Sequence, residues 1–256
     1  MCEAFSKLDN EVTLITINEF KSKINFLDYY NVKSKFFLKR IKNFKSFPLG
    51  VNYYLFSFFS VLESLRYKPE VYITRNFFTC FLLVMLRKNT VMELHHDLKI
   101  ESRIVRFLVT KLKFLNSTSI KKIIAITHGV KEDYVKKNLI QKKKIIVLPS
   151  GSSIKKNFEF LNNKKFLKIG YFGSLFQSRG FNLIQDLAKI DKDNKYFLYG
   201  DFNKINNFKY KNPNKNIQFH KYVPYKDIPK ELKKMDILLM PYVSSITVAG
   251  NVGDIT

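Results

Sequence analysis

The sequence predicts an α/β protein with doubly wound parallel sheets, arranged as two domains. Three observations carry this. Short, β-rich apolar runs recur along the whole chain, and stretches with helical spacing separate them. A turn-rich and then polar interruption divides the series near its middle.

The first runs lie at 12–17, 71–74, 91–94, 123–127 and 145–148, and the second set at 167–172, 196–199, 217–219 and 237–240. Continuous apolar runs of this length fit strands buried on both faces, as in parallel sheets. The longest apolar run, 77–86, is far below the ~20 residues of a membrane helix and reads as a buried helix. Ile104, Leu108, Leu112 and Leu115 repeat at helical spacing. Leu183 and Leu187 share a helical face, as do Ile184, Leu187 and Ile190. Ile228, Leu232 and Met235 follow the same period around Pro229, a residue suited to a first helical turn, and Lys233 and Lys234 suit a helix C-terminus. The break is Pro149-Ser150-Gly151-Ser152-Ser153 followed by the polar stretch 155–165. The expected organisation is therefore an N-terminal domain at 1–150, a hinge at 151–165 and a C-terminal domain at 166–256. Both domains read as incomplete. Cys2, Phe5 and Leu8 resemble the tail of a helix with no strand before it, and the second series stops after about four strands.

Composition narrows the class. In 256 residues, 46% hydrophobic and 15% aromatic content excludes a disordered chain. Lys+Arg 45 against Asp+Glu 21 gives a net charge of +24, which suggests a polyanionic partner: nucleic acid, an anionic membrane or a phosphorylated small molecule. Part of that charge is a broad lysine and asparagine bias, as in 204–216. Cys2 and Cys80 are too few for a disulfide framework or a zinc site and fit a reducing compartment. The start of the chain lacks a signal-peptide layout, so the expected location is cytoplasmic, with attachment to the inner membrane face left open.

Four places could carry chemistry. Gly173-Ser174-Leu175-Phe176-Gln177-Ser178-Arg179-Gly180 joins a buried strand to an amphipathic helix. Glycines there permit a sharp turn and close backbone approach, free N–H groups attract phosphate, and Arg179 adds a bidentate donor. The pattern matches neither a dinucleotide fingerprint nor a Walker A loop, and an ordinary strand-to-helix turn is the alternative. Glu93-Leu94-His95-His96-Asp97 directly follows a strand, where parallel sheets bind ligands. His95 or His96 could bond a hydroxyl or phosphate, or move a proton; a loop histidine bonded to backbone is the alternative. Ile126-Thr127-His128-Gly129-Val130 turns from strand to helix, where Thr127 or His128 could be a helix cap and nothing more. Gly151 sits in a turn read as hinge and cleft wall. Finally, the stretch 32–45, from Val32 through Lys33, Lys35, Lys39, Arg40 and Lys42 to Lys45, interleaves cations with Phe36, Phe37 and Phe44. It could dock on anionic lipid or single-stranded nucleic acid, or be a solvated loop.

Taken in order, these motifs resemble the GT-B glycosyltransferases, specifically the retaining family 4, or glycosyl transferases group 1. Glu93-Leu94-His95 is similar to that family's E-x-H strand end. Residues 124–131 are similar to its "iaiT-x-g-x-k" turn, and 145–151 to its "vlPnG" crossover. Ile169 to Leu175, continuing to Arg179-Gly180, resembles the "igYvGsl…KG" opening of the donor domain. Residues 217–224 and 236–242 resemble its later strands. The likeness spans nearly the whole chain. It implies two Rossmann-like domains facing across a cleft, and transfer of a sugar from a nucleotide-diphosphate donor to a glycan or lipid-linked acceptor in polysaccharide or cell-envelope synthesis. It further implies a retaining, metal-independent reaction without cofactor. By resemblance, His95 contacts the donor sugar and Arg179 the leaving diphosphate. Gly173, Ser174 and Gly180 approach the phosphates, Tyr222 and Val223 hold the base, and Pro241 belongs to the same donor site. The chain departs from the family pattern in two respects. Lys221 stands where glycine is common, and Asp254 is the only acid after Tyr242, so the family's paired glutamates are missing and the chain as given is expected to be inactive. The competing readings are a nucleotide-sugar 2-epimerase on the same fold, using Glu93 or Asp97, and a non-catalytic basic module for membrane or nucleic acid. Nucleic acid is the less favoured partner.

Overall fold

The computed structural model describes residues 1–18, 26–33, 36–42, 47–151, 165–173, 180–200 and 214–241. In chain order the first elements are α1 (Cys2–Ser6), β1 (Thr13–Ile17), α2 (Phe26–Tyr29), β2 (Phe37–Ile41), α3 (Leu49–Leu65), β3 (Tyr72–Thr74), α4 (Phe77–Met85) and β4 (Thr90–Leu94). Then come α5 (Arg103–Thr110), β5 (Ile120–Ala125), α6 (His128–Lys136), β6 (Ile145–Val147), β7 (Lys168–Phe172), α7 (Phe181–Ile190), β8 (Lys195–Tyr199), β9 (Ile217–His220), α8 (Ile228–Leu232) and β10 (Ile237–Leu238).

The chain forms two compact units. The first holds described residues 1–18, 36–42 and 47–151, and the second 26–33, 165–173, 180–200 and 214–241. Residues 26–33, expected with the N-terminal domain, group with the second unit, where the Tyr30 ring meets Tyr225 edge-on at 5.2 Å. Of the expected hinge, 152–164 lies outside the described residues. Every strand pair is parallel, as the alternation of apolar runs and helices predicts.

In the first unit β3-β4-β5-β6 form one sheet in sequence order, and β1 pairs with β2 separately. The β4–β5 register slips between Thr90 and Val91, so that Lys121 is left as an extra residue. The core joins Met92 and Leu94 of β4 to Ile123 and Ala125 of β5, under Phe77 and Cys80 of α4, Val105 and Val109 of α5 and Tyr134 of α6. Burial pushes the Cys80 thiol up to about 12, so it is an inert core residue rather than a nucleophile. Asn76 caps α4, accepting from the Thr79 N–H at 2.8 Å, and Ser102 caps α5, accepting from Val105 N–H at 3.2 Å.

The second unit carries a four-stranded sheet ordered β10-β7-β8-β9. Alternation places Ile169, Tyr171, Tyr196, Leu198 and Ile217 on the face covered by Phe181, Ile184 and Ala188 of α7. The Asn216 amide donates to the carbonyls of Ala188, Asp191 and Asn194 at 3.0, 2.8 and 3.2 Å, tying the end of α7 to the start of β9.

Four sequence expectations change. The basic stretch 32–45 contains a strand, β2, whose adjacent cations Lys39 and Arg40 hid it; residues 34–35 and 43–45 of that stretch lie outside the described residues. The buried face of α5 is Val105 and Val109; of the expected series, Leu108 packs on the core and Leu115 is buried, whereas Ile104 is 55% exposed and Leu112, past the helix end at Thr110, is 54% exposed. On α7, likewise, Leu183, Leu187 and Ile190 are exposed. The last strand is two residues long, and both are exposed, since among the described residues it pairs only with β7.

The α5 correction is testable. Val105→Ala should lower unfolding free energy by about 2 kcal/mol, while Ile104→Ala should stay within about 0.5 kcal/mol of the parent. Urea titrations that reversed this order would restore the face read from the sequence.

Candidate functional site

Parallel sheets bind ligands beyond the carboxyl ends of their strands, at the point where strand order reverses. In the second unit that point is β7, which lies between β10 on one side and β8 on the other. Gly173 ends β7, and its N–H donates to the Tyr199 carbonyl at 3.0 Å. A Cβ on Gly173 would lie 3.1 Å from the Tyr171 hydroxyl. Gly180 begins α7 with φ of +73°, a conformation natural to glycine. A Cβ there would collide with the Pro241 carbonyl oxygen and lie 2.7 Å from its carbon. The start of α7 and the end of β10 are therefore in backbone contact. No side chain caps α7 at Gly180, and first-turn N–H groups lack intrahelical partners, so its dipole favours an anion there. Ser174 and Arg179 lie outside the described residues.

On the sheet face away from α7, aromatic rings stack in sequence. Phe172 lies on Tyr199 at 4.3 Å, and His220 lies on Tyr199 at 4.6 Å and on Phe197 at 6.0 Å. Lys168, Phe197, Tyr199, His220, Lys221 and Val223 line much of a pocket of about 490 Å³. The Tyr199 hydroxyl donates to Glu231 Oε2 at 3.1 Å, and Lys234 holds Oε1 at 2.6 Å. Burial and the Glu231 carboxylate push the Tyr199 phenol up to about 12. The Nε2 atom of His220 is buried without a hydrogen-bond partner. Tyr222 is 57% exposed beside this pocket's Val223.

The first unit places a second cluster at the carboxyl ends of β3 and β4. Glu93 is buried on β4, and Arg75, just past β3, meets it with Nε at 3.0 Å and Nη2 at 3.5 Å. His95 Nε2 lies 3.0 Å from Glu93 Oε1 and has no other partner among the described residues. Burial first, and then the Arg75 charge, holds the His95 imidazole below its usual range, against the pull of Glu93. His95 is thus neutral at pH 7, a donor or acceptor rather than a cation.

The neighbouring candidates make local hydrogen bonds. His96 Nε2 binds Glu101 at 2.8 Å, and its carbonyl accepts from the Tyr134 hydroxyl at 3.3 Å. Asp97 caps the turn Leu98–Ile100 through the Lys99 N–H at 2.9 Å and pairs with Lys137 at 3.3 Å. Despite burial, those partners hold its carboxyl below the usual range. Thr127 caps α6, accepting from Val130 N–H at 3.2 Å. Gly151 is exposed, with open space where a Cβ would stand. Arg75, Tyr199, His220 and Glu231 were not singled out in the sequence. A buried acid in a strand demands a cation, and Arg75 is the first residue past the preceding strand, so that one signal existed.

No protein-family model matches the sequence, and no curated protein does. Solved structures match the fold. Sucrose-phosphate synthase from Thermosynechococcus elongatus aligns with a TM-score of 0.70 at 11% identity, over 94% of this chain and 68% of that one. Anabaena HepE, solved in complex with UDP and glucose, aligns at 0.55 and 13% identity, over 88% and 72%. A protein from Listeria monocytogenes described as a UDP-N-acetylglucosamine 2-epimerase aligns at 0.61 and 12%, over 93% and 68%. At such identities the likeness establishes the fold: α/β with Rossmann-like units of the GT-B class.

Two predictions follow from this geometry. Gly180→Ala should destabilise the protein by more than about 2 kcal/mol, since left-handed backbone alone costs an alanine about 1–2 kcal/mol before the Pro241 clash. A melting temperature equal to the parent's would show that the two backbones do not meet. For His95, the folded state takes up its proton at lower pH than the unfolded chain does. Its contribution is complete above the ordinary histidine range and is lost as pH falls through the folded value. Stability should therefore drop less between about pH 7 and pH 5 in His95→Gln than in the parent. Equal drops would mean that burial does not depress this imidazole.

Proposed function

We propose that the protein is a glycosyltransferase, moving a sugar from a nucleotide-diphosphate donor to a glycan or lipid-linked acceptor at the cytoplasmic side of the membrane. The observation that carries this is the switch point of the second unit, where Gly173 follows β7 and the start of α7, which has no side-chain cap among the described residues, meets Pro241. An anionic diphosphate suits an uncapped helix start approached through glycine backbone. In this reading Arg179, with the backbone at Gly173, Ser174 and Gly180, binds the diphosphate. A fixed cation stabilises the charge that develops on the leaving group without a metal ion or cofactor. Tyr222 and Val223 flank the base, and His95, neutral, bonds a donor-sugar hydroxyl. The reaction retains anomeric configuration and belongs with the retaining family 4 that the motifs resemble.

The epimerase reading has a solved neighbour in its favour, yet it needs a carboxylate free to exchange protons. Both candidates are committed: Glu93 to Arg75 and Asp97 to Lys99 and Lys137. Transfer is therefore the better reading.

The test is a thermal-shift panel of UDP-, GDP- and ADP-sugars on the full chain. At least one donor should raise the melting temperature, and Arg179→Ala should weaken its binding about tenfold or more, the loss of a charge-assisted pair. His95→Ala should leave binding of the free nucleotide diphosphate within about twofold while weakening that of the sugar-bearing donor. If no nucleotide sugar shifts the melting curve, the proposal is wrong.

A further inference from the structure

Helix α3 presents apolar side chains on two sides. Inward, Val61 packs with Tyr72 and Leu83, and Ser57 and Ser60 are buried. Outward, Val51, Phe58 and Leu62 are 43%, 48% and 46% exposed. Their spacing of seven and four residues sets them on one stripe of the helix. Half-buried Leu55 lies within the same stripe, and Phe47, just before the helix, is 50% exposed. An apolar stripe open to water in this way marks an interaction surface.

The charge around the stripe identifies what it meets. Strand β2, which packs on α3, carries Lys39 and Arg40, and Lys42 follows it. Arg66 and Lys68 follow the helix. Among the described residues between 36 and 70, the acids are Glu70 and Glu63, and Glu63 pairs with both Lys39 at 3.1 Å and Arg66 at 3.2 Å at the C-terminal end of the helix. A second copy of the chain would bring the same cations face to face. An apolar stripe flanked along the chain by Lys42 and Lys68 instead complements a surface with an apolar interior and anionic head groups. No helix among the described residues is long and apolar enough to cross a membrane.

We propose that α3 is an interfacial anchor for an anionic lipid bilayer. It lies in the plane of the interface, with Val51, Phe58 and Leu62 at the acyl-chain boundary and Lys42 and Lys68 on lipid phosphates. This moves the membrane-facing element from the basic stretch 32–45 itself to the helix that β2 supports. The surface uses no residue assigned to nucleotide-sugar binding, so it stands or falls apart from the transfer reaction.

The chain contains no tryptophan, so Phe58→Trp installs a single reporter at an exposed apolar position. With the full chain, vesicles of phosphatidylcholine mixed with phosphatidylglycerol should shift its emission to the blue, and pure phosphatidylcholine vesicles should not. In co-sedimentation on the mixed vesicles, Phe58→Ser with Leu62→Ser should weaken binding about tenfold or more through lost apolar burial. Lys42→Gln and Lys68→Gln should each weaken it roughly fivefold, and added salt should weaken it further. Circular dichroism confirms that each variant is folded, and the tryptophan reading does not depend on the serine variants. Absence of the blue shift, or equal binding by the folded serine variant, overturns the proposal. So does self-association of the parent in vesicle-free solution that the serine variant abolishes, which would make a second copy the occupant.

Discussion

The backbone contact between Gly180 and Pro241 is the constraint on which the second unit turns. β10 is short and exposed and shares only two residues of register with β7. Its position is fixed in good part by how closely its end meets the start of α7. That approach is available only where position 180 lacks a Cβ. It also fixes the reversal of strand order, because β10 on β7 is what makes β7 the switch strand. The same glycine leaves the first turn of α7 uncapped, so sheet topology and an anion-attracting helix end arise from one residue.

In the first unit the comparable role falls to Glu93. A carboxylate buried in a parallel strand must find a cation, and Arg75 reaches it from the end of the adjacent strand. The pair fixes the ends of β3 and β4 with respect to each other. It also sets the electrostatic surroundings of His95, whose imidazole is kept neutral by burial and by the Arg75 charge together. The neighbouring acids and His96 are bound into turns and helix caps, and His95 keeps its Nε2 against Glu93 at 3.0 Å.

The strands of the two four-stranded sheets are legible in the sequence because parallel strands buried on two faces read as unbroken apolar runs. β2 is not legible, since Lys39 and Arg40 interrupt it, and α3 shows no polar face from which a period could be read. The face of α5 is misjudged because the apolar series from Ile104 to Leu115 continues past Thr110, where the helix ends. At the candidate sites, the glycines and His95 are visible from their places after strands. Arg75, Tyr199, His220 and Glu231 acquire their roles only by approach through space: a bond across 18 residues for Arg75 and across 32 for Glu231. Spacing along the chain carries no record of such pairs.

The register of β10 has a kinetic meaning as well. Each other strand pair in the second sheet joins neighbours in sequence, whereas β10 returns past two strands, and Lys168 bonds Asp236 across 68 residues. Loop closure over such a span is entropically unfavourable until β8, β9 and the helices beside them are in place. The span makes the β7–β10 pairing the entropically costliest closure of this sheet.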